Sequence, residues 1–203
     1  EIIVRPKEQE GVFFDAFSYV IQNPTRNGNS RRNLFIVSQI QSNDPSLDYI
    51  PNLIASFIKR ELESADVPPD KEDGVFENSL IKTNELIEGL LKKNPDVKID
   101  SGIAFTNKEK IAVSKIGKAK MLVYRPKKDE SFDVFEDVSQ FNKLHINSKR
   151  FSNIISGEIK KGDRIFFFIP TIRLNLRQKL ITSMLCKSGS ESFLDGFHKI
   201  ISP

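Results

Sequence analysis

"DSGIAFTNKEKIAVSKIGKAKMLVYR", residues 100–125, packs three strand-like runs into one short stretch. Ile103 to Thr106 and Ile111 to Val113 are rich in apolar and β-branched residues, which suit a pleated, half-buried surface. "NKEK", residues 107–110, separates them as a hairpin-like turn. "KAKMLVYRPK" follows directly. The three runs read as an antiparallel meander, since antiparallel strands need only short connections.

Upstream, "EIIV" and "GVFFDAFSYVIQ" read as a first strand or two, and "RRNLFIVSQI" as a strand of the buried type. "NPTRNGNS" between them is a turn, marked by Asn-Pro and Asn-Gly. After "NDPS", where Pro45 suits a helix's first turn, the pattern becomes helical. Leu47, Ile50, Leu53, Ile54, Phe57, Ile58 and Leu62 form one apolar stripe that runs to Ser64. The proline-bearing "ADVPPDKEDG" is a loop. A second helix spans about Val75 to Lys93, with Phe76, Leu80, Ile81, Asn84, Ile87, Leu90 and Leu91 on one side. "NPD" ends it, because the residue before a proline disfavours the helical region.

Downstream, "DESFDVFEDVSQFNKLHI" is less regular, and "KRFSNIISGEIKKGDRIFFFI" has strand character at its end. "LNLRQKLITSML" and "SESFLDGFHKII" are helical by period, with Ser190 placed to cap the second. Helices therefore come in pairs and do not alternate with strands. That order predicts an α+β domain with antiparallel sheets, not a βαβ array.

A chain of 203 residues suits one compact domain over 1–203. A hydrophobic fraction of 38% and a charged fraction of 29% exclude a disordered chain. With 16 Phe and no Trp, the core is expected to rest on Phe, Ile and Leu. The net charge of +4 is mild, and "KIGKAK" and "YRPKKDE" are the densest basic stretches. Nucleic acid is not expected as a partner, because such binding needs basic residues concentrated on one face. No run of about 18 apolar residues is present, so no membrane contact is expected. Cys186 is the single cysteine and permits no internal disulfide, which fits a reducing, cytoplasmic compartment. His145 and His198 have no partner at zinc-ligand spacing. Gly28 is a turn glycine and not part of a phosphate loop. The chain starts at Glu1 without Met, and is expected to be a segment of a longer protein.

Three stretches in this order resemble the PPM-type, metal-dependent serine/threonine phosphatases. "NLFIVSQIQS" resembles the family strand that leads to an Asp-Gly. "DSGIAFTNKEKIAVSKIGKAKMLVYR" resembles the Gly-Thr-Thr strand, its hairpin and the Gly-Asp-Ser strand after it. "ISGEIKKGDRIFFFIPTI" resembles the Gly-Asp strand that ends in Ser-Asp-Gly. Asn84, in "LIKTNELI", also has a counterpart in the second family helix. The resemblance spans about residues 11–201. It implies two antiparallel sheets packed as a sandwich, with helix pairs on both outer faces.

The departures fall where the family's chemistry would be. Its first metal-binding Asp-Gly falls on Gln39 and Ile40, its second acid on Lys118, and its third Asp-Gly on Pro170 and Thr171. Magnesium and manganese are hard cations that need oxygen ligands, above all carboxylates. Gln39 offers only a neutral oxygen, and Pro170 has no side-chain oxygen. Lys118 brings the wrong sign; at about 4 Å, like unit charges repel by roughly 4 kcal/mol at an effective dielectric near 20. The expected protein is a catalytically inactive PPM-like pseudophosphatase domain without Mg or Mn, a cytoplasmic regulatory module whose partner is another protein. Two alternatives stand beside it. One is a divergent phosphatase with relocated ligands, for which Asp44, Asp100 and Asp163 are the nearest acids, although the family's counterpart of Asp163 is structural. The other is an anion- or phosphate-binding module in which Lys115, Lys118 and Lys120 share one face of a strand. Against that reading, the same lysines also suit a solvent-facing strand surface.

Overall fold

The structure, a computed structural model, describes residues 10–21, 32–65, 72–127, 132–135 and 150–170. The expected strand in residues 1–4, the turn around Gly28 and most of the proline-bearing loop lie outside the described residues. So do His145, Thr171, Cys186, His198 and the two C-terminal helices with the Ser190 cap.

Within the described residues, strands β1 (Val12–Ile21), β2 (Arg32–Gln41), β3 (Lys98–Asn107), β4 (Lys110–Ile116) and β7 (Ile154–Glu158) form one antiparallel sheet in the order β1-β2-β3-β4-β7. β5 (Lys120–Pro126), β6 (Phe132–Phe135) and β8 (Arg164–Phe168) form a second sheet in the order β6-β5-β8. Helices α1 (Ile50–Ser64) and α2 (Glu72–Lys93) pack on the outer face of the first sheet.

Period-two alternation divides the central strand β2 between two cores. Leu34, Ile36 and Ile40 join Ile54, Ile58, Leu62, Phe76, Leu80 and Ile87 in the helix-side core. Phe35 and Val37 point the other way, into the space between the sheets. There Ala104, Ile111 and Val113 of the first sheet meet Met121, Val123 and Phe167 of the second. β2 is apolar on both faces because a layer covers each of them, the arrangement of a sandwich with helices outside.

The helix stripes came out largely as their spacing predicts. Asp44 caps a single 3-10 turn, Pro45–Leu47, by accepting from the Ser46 N–H at 2.9 Å, and α1 starts only at Ile50. On α1, Ala55 joins the buried face while Leu53 and Phe57 are half-buried. Ile81 leaves the predicted stripe of α2 and is 51% exposed. Asn84 has a specific task. Its side-chain amide donates to the Phe151 carbonyl at 2.9 Å and accepts from the Phe151 N–H at 2.8 Å. That pair fastens the chain entering β7 to the middle of α2.

The expected meander is corrected at its third strand. β3 and β4 form the hairpin, with Lys108 at the turn in the left-handed region at φ 53°. β5 does not continue that sheet. The chain turns at Gly117, φ 66°, and crosses to the second sheet, where β5 lies between β6 and β8. Both faces of β5 are buried: Met121 and Val123 between the sheets, Leu122 and Tyr124 on the other side.

Close approach of the sheets depends on Gly102. A Cβ at this position would collide with the Phe167 ring and come within 2.9 Å of the Ala119 Cβ. Gly102→Ala is therefore expected to cost about 1–3 kcal/mol through overpacking, measured by urea unfolding. Asn84→Ala leaves the Phe151 backbone N–H and carbonyl unpartnered, and is expected to cost about 1–3 kcal/mol in the same assay.

Candidate functional site

The ends of β2 and β3 face the turn that joins the two sheets. Gln39 lies directly opposite Asp100 in the register of β2 and β3, on the face that carries Val37 and Phe35 toward the second sheet. Asp100 reaches across to the turn. Its Oδ1 accepts from the Lys118 N–H at 2.8 Å and lies directly against Gly117, where no side chain would fit. Glycine at residue 117 thus answers two demands at once, a positive φ and the space taken by the Asp100 carboxylate.

Lys115 closes the other side of the same turn. It stands opposite Gly102 in β4, is only 6% exposed, and donates from Nζ to the Ala119 carbonyl at 3.0 Å. Burial lowers its pKa below the ordinary lysine value, the neighbouring Lys120 lowers it further, and Asp100 acts in the opposite sense. Lys118 is exposed, and the group it presents to Asp100 is its backbone N–H. Lys120 is half-buried opposite Phe168. Pro170 follows Ile169, which packs against Val37 and Ala119, so the end of β8 reaches this region.

Gln39, Asp100, Lys115, Lys118 and Lys120 therefore gather around one turn, with Pro170 one residue beyond its apolar floor. Ile40 does not join them: its side chain is fully buried in the helix-side core. The three lysines do not share one strand face. Lys115 belongs to β4 of the first sheet, Lys118 to the turn and Lys120 to β5 of the second. Nor is Lys115 solvent-facing. A strand-like spacing across "KIGKAK" hid the sheet change, which Gly117 marks.

Two of the three acids named as alternative ligands have local structural tasks. Asp44 caps the 3-10 turn. Asp163 has a side chain 2% exposed and accepts from Arg125 Nε at 3.0 Å, Arg125 Nη2 at 2.7 Å and the Lys160 N–H at 2.8 Å. Arg125 also donates to the Glu158 carbonyl at 2.9 Å, which ties β5 to the β7–β8 connection. Only Asp100 stands with Gln39 and Lys118. Nothing local in the sequence signals its contact, because the partner backbone is 18 residues away. The burial of Lys115 was equally hidden, since lysine is rarely fully buried.

A separate groove of about 430 Å³ lies on the helix side of the first sheet, lined by Leu80, Ile81, Ala112, Phe151 and Ile154 among others. It does not open onto the turn.

The bidentate Arg125 contact holds the Asp163 pKa below its usual value of 3.8, partly opposed by burial and reinforced by the Lys160 N–H. A depressed folded-state pKa gives stability that is present above the unfolded value and lost as pH falls through the folded one. Asp163→Asn is expected to destabilise the chain by about 2 kcal/mol at neutral pH. The gap to the wild type should close as pH falls below about 4, read from urea unfolding at a series of pH values.

No protein-family model matches this sequence, and no curated protein matches it. Solved structures do. A bacterial serine phosphatase superposes with a TM-score of 0.63 at 10% identity, covering 94% of this chain and 90% of that one. The Mycobacterium tuberculosis serine/threonine phosphatase PstP/Ppp gives 0.57 at 11% identity, covering 94% and 92%. The serine/threonine phosphatase Stp1 from Staphylococcus aureus gives 0.57 at 11% identity, covering 98% and 93%. At these identities the likeness speaks for architecture alone, and it extends over nearly the whole chain: two antiparallel sheets with helices outside, in the PPM phosphatase fold.

Proposed function

We propose that this chain is a catalytically inactive PPM-like pseudophosphatase domain, a regulatory module that works through protein contacts in the cytoplasm. The observation that carries this reading is the donor set around the turn at Gly117. Among the described residues it comprises one carboxylate, Asp100, already engaged with the Lys118 N–H, together with the neutral Gln39 and three lysines. Magnesium or manganese at this position would be expected to draw on several carboxylates. These residues do not fit such an ion, so no step of a metal-activated hydrolysis is assigned to them. Among the described residues, no helix is long and apolar enough to cross a membrane.

A second reading draws on the same cations. Lys118 and Lys120 lie at either end of a three-residue step beside the buried Lys115, an arrangement that suits a phosphate-bearing ligand. It predicts that phosphopeptide binding is lost in Lys118→Ala.

Calorimetry with MnCl2, paired with a phosphopeptide turnover assay, separates these readings. The expected result is no saturable manganese heat and no turnover. Saturable binding with turnover would overturn the inactive reading. Phosphopeptide binding without turnover, sensitive to Lys118→Ala, would favour the second.

A further inference from the structure

Asp100 and Lys115 grip two peptide groups of one turn from two strands. Asp100 accepts from the N–H of Lys118, and Lys115 donates to the carbonyl of Ala119. Lys115 sits opposite Gly102, one register step along the same inter-sheet face from the Gln39–Asp100 pair. Its ammonium thus meets a backbone carbonyl, with the Asp100 carboxylate on the same face of the neighbouring strand; both are oxygen types that a hard cation takes as ligands. Burial would ordinarily be costly for such a charge, and is tolerated where hydrogen bonds and an opposite charge accompany it.

We propose that the Lys115 ammonium is a built-in cation that stands in for a divalent metal at this end of the sandwich, holding the sheet-to-sheet turn without metal and keeping metal out. This rests on the reading of the chain as a pseudophosphatase, and it adds a cause. Substitution of the carboxylates alone does not explain why the turn stays ordered between two sheets; a fixed positive charge on β4 does. Asp100 lies on the same face of β3 as Gly102, the residue opposite Lys115, and its carboxylate favours the charged amine against the cost of burial, which is the coupling this requires.

The test rebuilds the acids with and without the amine. In Gln39→Asp/Lys118→Asp, Asp100 gains two carboxylate neighbours while Lys115 remains. Adding Lys115→Met removes the competing charge and keeps the aliphatic bulk. Titration with MnCl2, by calorimetry and by the paramagnetic signal of free manganese, is expected to show at least about tenfold tighter binding in the triple variant than in the double. Its melting temperature should also rise with manganese, and the wild type's should not. Equal binding by double and triple variants, or no binding by the triple, would overturn the role of Lys115. Neither result would touch the inactive reading, which only turnover by the wild type contradicts. If the triple variant does not fold, single variants in metal-free buffer decide. Lys115→Met should melt several degrees below Lys115→Arg, which keeps a cationic donor; equal melting temperatures would overturn the proposal.

Discussion

The hydrogen bond from the Lys118 N–H to the Asp100 carboxylate governs how this chain is divided between its two sheets. β4 ends at Ile116 and β5 begins at Lys120, so only three residues carry the chain from one layer to the other. A tight turn must satisfy its backbone groups without a strand beside it. Asp100 provides for one, Lys115 for another, and Gly117 supplies the left-handed conformation that brings them within reach. With this turn in place, Met121 and Val123 meet Ala104, Ile111 and Val113, and the space between the sheets closes over Gly102. Asp100, one of the two charged side chains that shape the crossing, stands opposite Gln39, so architecture and candidate chemistry occupy one place.

Much of the architecture was legible in the sequence. The two-faced apolar pattern of "RRNLFIVSQI" and the stripes of the two helices follow from periods that burial imposes, and the hairpin at "NKEK" follows from its turn residues. The third strand of the supposed meander was misplaced for a physical reason. A short Gly-containing link looks the same whether it joins neighbours in one sheet or crosses between two. Burial on both faces, which β5 shares with β2, does not distinguish the cases; its partners β6 and β8 do, and they lie further along the chain. Ile81 failed similarly, because a periodic position is buried only where something covers it.

The candidate site was legible only in part. Gln39, Lys118 and Pro170 were read from the resemblance as standing where family acids would fall, whereas Asp100 and Lys115 owe their importance to contacts across the fold. A buried lysine contradicts its usual surface preference, so composition gives no warning of it. Asp163 was foreseen as structural, and its grip on Arg125 bears that out. The surface lysine strip dissolved because its members belong to two sheets and the turn between them.

In the proposed arrangement a lysine ammonium, and not a metal, completes this end of the sandwich. The most direct measurement is a crystal structure of the wild-type chain grown with saturating MnCl2 and recorded for anomalous scattering. No anomalous peak is expected at Asp100, with Lys115 Nζ within hydrogen-bonding distance of the Ala119 carbonyl. A manganese peak bound by Asp100 and Gln39, with Lys115 displaced, would contradict it.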